Sequence, residues 1–212
     1  MYTMKSAHFS PVLRSRFADV QPDIQRRLDD FGAVPPSEYF YELCFCLCTP
    51  QSKAKSAHEV VLRLQEYGFR ETPFDPVDIL RSPEHYIRFH NTKARRLLAV
   101  REQFAEIEAV LFSERTPEQK RRWLVQNVNG IGMKEAAHFL RNIGYRELGI
   151  LDRHILKHLT ACGVFAHVPN VGSLRQYVEA ETAFRSFAAL VGIPMDELDL
   201  FFWYLEAGEI FK

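Results

Sequence analysis

Two residues of this sequence, a lysine and an aspartate, each stand at the start of an expected helix with a side chain that can do chemistry there. Lys134 stands two positions after Gly130-Ile131-Gly132, and Asp152 follows eighteen positions later, in NGIGMKEAAHFLRNIGYRELGILDRHIL, residues 129–156. A cation in the first turn of a helix runs against the helix macrodipole. One reading of Lys134 is a solvated surface lysine. The other gives the position a use: a partly desolvated amine is pushed toward its neutral form, and a neutral lysine is a nucleophile that forms Schiff bases with carbonyl-like carbons. Asp152 follows the apolar Gly149-Ile150-Leu151 and opens a helix. As an N-cap it contributes ~1 kcal/mol. As a carboxylate held ionised by helix N–H groups, it would stabilise a sugar cation while a base departs. The two readings are compatible, because capping would fix the charge in place.

These groups need helices to position them, and helical signals dominate the chain. PPSEYFYELCFCL carries Phe40, Leu43, Cys44 and Leu47 at helical spacing. SKAKSAHEVVLRLQEYGF opens on Ser52 and closes at Gly68, which has the character of a C-cap. NTKARRLLAVREQFAEIEAVLF takes Asn91 as its N-cap and keeps Leu97, Leu98, Phe104, Ile107 and Leu111 near one face. TPEQKRRWLVQNV begins with Thr116 as cap and Pro117 at the first helical position. SLRQYVEAETAFRSFAALVG and PMDELDLFFWYLEAGEIF supply two more helices. No pair of alternating runs has hairpin spacing, so the chain reads as all-α.

Within that frame, Asn129-Gly130-Ile131-Gly132 is a hairpin between two helices. Glycine permits left-handed or close-approach backbone, and Ile131 can anchor the turn in the core. The free N–H groups at the start of the second helix make an anion site suited to a phosphate. G-x-G alone is a weak signal, and a plain glycine turn would look the same. A nucleophilic lysine beside a docked phosphate would have a sugar carbon of the same nucleic acid within reach.

Composition bounds the rest. The 212 residues are 47% hydrophobic and 13% aromatic, enough for one globular unit or two small lobes. No apolar stretch approaches ~20 residues, and the N-terminus lacks the apolar core of a signal peptide, so an intracellular, cytoplasmic protein is expected. Cys44, Cys46 and Cys48 alternate in an apolar run and Cys162 stands apart. On a helix the first three spread around the axis, so they read as buried small residues in a reducing compartment. Without a C-x-x-C pair, neither a metal site nor a cofactor is expected. Lys+Arg and Asp+Glu balance at 27 each, yet Arg81, Arg88, Lys93, Arg95, Arg96 and Arg101 cluster while acids dominate residues 176–212. A neutral total can hide a basic face.

The segment Asn129–Leu156 resembles the helix–hairpin–helix DNA glycosylases and is particularly similar to type 2 8-oxoguanine DNA glycosylase/AP lyases. The resemblance is specific there and weaker, but collinear, over most of the chain. It implies an all-α, two-lobed fold with DNA and the extruded base between the lobes: residues 1–34 with 151–212 in one, residues 35–150 in the other. It implies a bifunctional base-excision enzyme that acts on double-stranded DNA carrying an oxidised purine or an abasic site. Such an enzyme is expected to be a cofactor-free monomer, nucleoid-associated in a prokaryote. Lys134 matches the Schiff-base lysine, Asp152 the catalytic aspartate, and Gly130 and Gly132 the hairpin glycines. CTPQSKAKSA matches the loop that enters the duplex, with Gln51, or a residue near it in that loop, as wedge. Some of Lys93, Arg95 and Arg96 are expected at backbone phosphates, the plainer reading of this stretch being an N-capped surface helix. In that subfamily the terminal residue helps read the base and an aromatic nine residues earlier stacks on it; here these are Lys212 and Trp203, with Asp199 nearby. Phe201 or Phe202, and Tyr204, are expected in the core. No cysteine follows Cys162, so the iron–sulfur loop of related branches is absent. Two rivals remain, an oxidised-pyrimidine glycosylase of the same fold and a non-catalytic DNA-binding hairpin module.

Overall fold

Side-chain caps at Ser10, Thr116, Asp152 and Ser173 set the starts of four of the described helices. The structure, a computed structural model, describes residues 7–212; the first six residues of the expected N-terminal lobe lie outside it. Every regular element among the described residues is helical. The chain divides into two compact units: residues up to Ala33 together with Leu140–Lys212, and Val34–Phe139.

In the first unit, α1 (Pro11–Gly32) starts at Ser10, whose side chain accepts from Leu13 N–H, with Pro11 at the first helical position. Its buried residues, Phe17, Ile24, Leu28 and Phe31, form a sparse stripe, and Pro22 lies inside the helix. Helix α1 packs on α10 (Met195–Ala207). Phe201 meets Phe17 edge-on at 5.4 Å and Phe9 at 5.9 Å between ring centroids. Helices α8 (Arg153–Ala161) and α9 (Leu174–Val191) complete the unit. Helix α9 begins with a reciprocal capping box between Ser173 and Gln176.

In the second unit, α2 (Tyr39–Cys48) is buried nearly all round, including Cys44, Cys46 and Cys48. That is the behaviour of a central helix. Around it lie α3 (Ala54–Glu66), the short α4 (Val77–Leu80), α5 (His90–Leu111), α6 (Pro117–Asn127) and the start of α7 (Met133–Asn142). Phe40 holds the core together, with ring centroids 5.2 Å from Phe104 and 6.0 Å from Phe69. Thr116 and Gln119 form a capping box at α6.

Three local expectations need correction. Helix α3 starts at Ala54 with Lys53 as a cap that makes no side-chain bond, because Ser52 Oγ is engaged elsewhere. Helix α5 begins after Phe89, which has φ 59, so Asn91 lies within the first turn and does not cap it. Phe201 and Phe202 are fully buried, but Tyr204 is only half-buried. It lines a groove of about 600 Å³ with Arg27, Asp30 and Phe211.

Candidate active site

Helix α6 ends at Asn127, and the chain turns through Gly130, φ +94, into α7. A side chain at Gly130 would be strained by that φ and by space, since a Cβ there would lie 2.5 Å from Arg96 Cδ. The Arg96 side chain therefore runs across the hairpin. Ile131 is 5% exposed, an apolar anchor. The hairpin's capacity for anions is already in use: Gly132 N–H donates to Glu135 Oε2 at 3.2 Å. This is the backward reach of an acidic residue at the third helical position. An incoming phosphate has to compete with that carboxylate.

Lys134 sits in the first turn of α7 with its side chain 29% exposed, and its Nζ lies 3.1 Å from Glu135 Oε1. The sequence alone left a lone cation at a positive helix end. The structure supplies its counter-ion one residue away, so one carboxylate grips both the hairpin N–H and the lysine. The amine has to leave this pair before it can attack anything.

Gln51 stands exposed at the tip of the loop between α2 and α3, with φ 56. Arg95 is exposed on α5, its Nε directed to Asn91 O at 3.4 Å. Lys93 departs from the expected phosphate contact: it is 2% exposed, and its ammonium donates to Cys48 O, Pro50 O and Ser52 Oγ. Burial, aided by the nearby cations Arg96, Lys134 and Arg88, lowers its pKa to about 8. Arg101 is likewise committed, to Phe69 O and Glu71 O. The basic cluster is thus partly structural. Phe89, which the sequence reading passed over, is 55% exposed beside Arg88, whose guanidinium lies 5.5 Å from its ring.

In the other unit, Asp152 caps α8: its Oδ1 accepts from His154 N–H at 2.8 Å and Ile155 N–H at 2.9 Å. Oδ2 takes no hydrogen bond among the described residues, so the carboxylate is both fixed and half available. The run before it is held from α9. Tyr177 donates its O–H to Gly149 O and accepts from Leu151 N–H, while Glu181 accepts from Gly149 N–H.

Asp199 is buried and paired with Arg141 Nη1 at 3.1 Å. Burial pushes its carboxyl up to about 7 against the opposing pull of Arg141, with Asp152 and Asp196 adding to the rise. A carboxyl whose folded pKa is raised contributes stability that is full below its unfolded value of ~4 and is lost as pH rises through the folded value. The stability of the wild type relative to Asp199→Asn is therefore expected to fall as pH rises from about 4 to 8. Chemical denaturation across that range checks it, and a flat difference would mean that Asp199 stays ionised throughout.

Trp203 is half-buried; its ring meets His154 edge-on at 5.6 Å, and its indole N–H is buried without an acceptor. Glu206, one turn further along α10, binds His154 Nδ1 at 3.1 Å, His158 Nε2 at 2.9 Å and Lys157 Nζ at 2.7 Å. Lys157 foremost, with His154 and His158, holds its carboxyl down to about 2. This cluster was missed at the level of sequence. Its signals were the i,i+4 histidines of α8 and an acid three residues after Trp203. The tail is tied down as well: Arg27 Nε donates to Phe211 O, and Lys212 is half-buried.

Comparison with known proteins now adds to this geometry. The 8-oxoguanine DNA glycosylase family model matches residues 24–193. The 8-oxoguanine DNA glycosylase/AP lyase of Fusobacterium nucleatum is 33% identical over 221 residues, 99% of this chain and 100% of that protein. The Methanocaldococcus jannaschii enzyme of the same name is 33% identical over 199 residues, 92% of this chain and 94% of its own. Its crystal structure in complex with 15mer DNA containing 8-oxoguanine superposes with a TM-score of 0.83 at 30% identity, covering 95% of this chain and 100% of that one. The 8-oxoguanine DNA glycosylase of Thermotoga maritima gives 0.84 at 29% identity, covering 95% and 97%.

Proposed function

This chain belongs to the 8-oxoguanine DNA glycosylase family, and from that premise we infer which of its groups carry each step. The protein is a base-excision repair enzyme, an 8-oxoguanine DNA N-glycosylase that also acts as an abasic-site lyase. Its partner is double-stranded DNA. No described helix is long and apolar enough to cross a membrane, and the work of the enzyme lies in the cytoplasm, on the nucleoid where the cell has one.

The damaged nucleotide leaves the stack at a cost of a few kcal/mol, and Gln51 fills the gap. Arg95 and Arg96 hold backbone phosphates, contacts that position the DNA without reading its sequence. The phosphate at the hairpin takes over the Gly132 N–H from Glu135, which loosens the Lys134 pair. Lys134 Nζ, having given up a proton to solvent, attacks C1′ as the C1′–N9 bond breaks and its electron pair leaves on the base, which takes up a proton from solvent. Asp152 Oδ2 faces the positive charge that develops on the sugar. Opening of the C1′–O4′ bond then gives the Schiff base, which acidifies the C2′ proton; loss of that proton to solvent drives the β-elimination that expels the 3′ phosphate. The observation that carries this reading is a hairpin whose own backbone already grips a carboxylate, directly ahead of a lysine held by the same carboxylate.

Trp203 stacks on the extruded base, and Lys212 contributes to reading its edge, with Asp199 a further candidate for base recognition. Guanine lacks the N7–H of 8-oxoguanine, so a site built to accept that hydrogen is left with an unpaired acceptor. Trp203→Ala and Lys212→Ala should each slow 8-oxoguanine excision about 10- to 100-fold, the range of a lost stacking contact for the first and of a lost hydrogen bond to the base edge for the second. Lyase activity on a pre-formed abasic site should stay near wild type, because no base remains to be read. Equal loss of both activities in either variant would assign that residue to the fold.

The reading as a whole is tested on duplexes that each carry a single lesion. Cleavage at 8-oxoguanine well above cleavage at thymine glycol is expected. The reverse preference would make this a pyrimidine-directed member of the family, and binding without cleavage of either would leave only a DNA-binding module.

A further inference from the structure

Lys93 is a buried cation whose three ammonium hydrogens all have acceptors on one loop. Its Nζ donates to Cys48 O at 2.7 Å, Pro50 O at 2.7 Å and Ser52 Oγ at 3.2 Å. An ammonium has three donors and no more. Cys48 is the last residue of α2, where a carbonyl has no helical partner; Pro50 and Ser52 flank Gln51. One ammonium therefore spans the whole connection from the end of α2 to the residue before the Lys53 cap. Ser52 Oγ also accepts from Arg88 N–H at 3.0 Å, which ties the same loop to the segment entering α5. Between these anchors Gln51 takes φ 56. A non-glycine residue is held in that left-handed region only when its neighbours over-determine it.

A buried ammonium is a poor way to stabilise a core. Desolvation penalises it, and an apolar side chain would continue the stripe formed by Leu97, Val100 and Phe104 at no such cost. What the cation supplies is geometry: three bonds, charge-assisted on the donor side, that converge on one loop.

We propose that Lys93 is a positioning residue for base extrusion: it sets the loop so that Gln51 is presented, preformed, to the gap in the duplex. This rests on the assignment of Gln51 as the wedge, and the two can fail separately. Lys93 touches neither the DNA nor the reacting atoms; it acts through Gln51.

The test is a double-mutant cycle between Lys93→Met and Gln51→Ala. It is read by single-turnover excision from an 8-oxoguanine duplex and by fluorescence of a 2-aminopurine placed beside the lesion. Each single variant should lose about ten- to a hundredfold in duplex excision, the scale of a misplaced positioning group, with a matching loss of the unstacking signal. Lys93→Met in the Gln51→Ala background should add less than about twofold, since coupled residues are not additive. On a single-stranded abasic site, which has no stack to open, Lys93→Met should lose far less lyase activity than it loses in duplex excision. Full excision by Gln51→Ala overturns the wedge assignment, and the inference with it. Full excision by Lys93→Met beside an impaired Gln51→Ala overturns the clamp alone. Additive losses, or an equal loss on single-stranded abasic DNA, make Lys93 a purely structural residue. If Lys93→Met does not fold, Ser52→Ala removes one of the three acceptors and should give a smaller loss that is still non-additive with Gln51→Ala; additivity there overturns the proposal too.

Discussion

Lys134→Ala should fold, bind lesion DNA and fail to cut it. Alanine is the best helix former, and the position is in the first turn of α7, so the helix is not weakened. Glu135 loses one partner but keeps its bond from Gly132 N–H. Affinity for a lesion duplex should stay within a few-fold, because the hairpin donors are backbone groups that the substitution leaves in place. Base excision and strand cleavage should both fall by about 10³-fold or more, the scale on which covalent catalysis fails when its nucleophile is removed. Lys134→Gln should behave in the same way. Undiminished cleavage in either variant would place the nucleophile elsewhere.

The second large effect is expected at Asp152, where one substitution separates two roles. Asp152→Asn keeps a side-chain oxygen for the His154 and Ile155 N–H groups that Oδ1 now caps, and Asn ranks with Asp as an N-cap. Stability should therefore hardly change. The charge on Oδ2 is lost, and with it the stabilisation of a cationic transition state; a single such electrostatic group contributes about 10²- to 10³-fold in rate. Thermal melts and single-turnover excision read the two roles independently. A variant that folds like the wild type and excises at its rate would reduce Asp152 to a cap. Asp152→Ala should lose both, about 1 kcal/mol of stability and the rate.

The proposed pair, Lys134 and Asp152, could be named from the sequence because its signals are local. G-I-G-x-K fixes a turn and a helix start within five residues, and the aspartate follows an apolar run at a helix N-cap. The helical class was legible for the same reason, through the caps at Thr116 and Asp152 and the spacing in α2 and α5. Helix α1 was legible only through family resemblance, since its buried stripe is sparse and a proline interrupts it. The direction of Lys93 was misread because residue type was weighed above register. Lys93, Leu97, Val100, Phe104, Ile107 and Leu111 all lie on the buried face of α5, so periodicity pointed the lysine inward. Glu135 was visible beside Lys134, but whether its carboxylate reaches the hairpin depends on backbone geometry that spacing does not encode. The Arg141–Asp199 pair and the Glu206 cluster join residues some fifty positions apart, and no local pattern announces contacts of that kind.

The central claim is that one amine, on Lys134, becomes covalently joined to the sugar of the damaged nucleotide. Borohydride reduction during turnover of an 8-oxoguanine duplex, followed by proteolysis and mass spectrometry of the trapped adduct, tests it directly. A single DNA-bearing peptide modified at Lys134 Nζ is the expected result. An adduct mapped to another amine, or strand cleavage with no trappable adduct, would contradict the account.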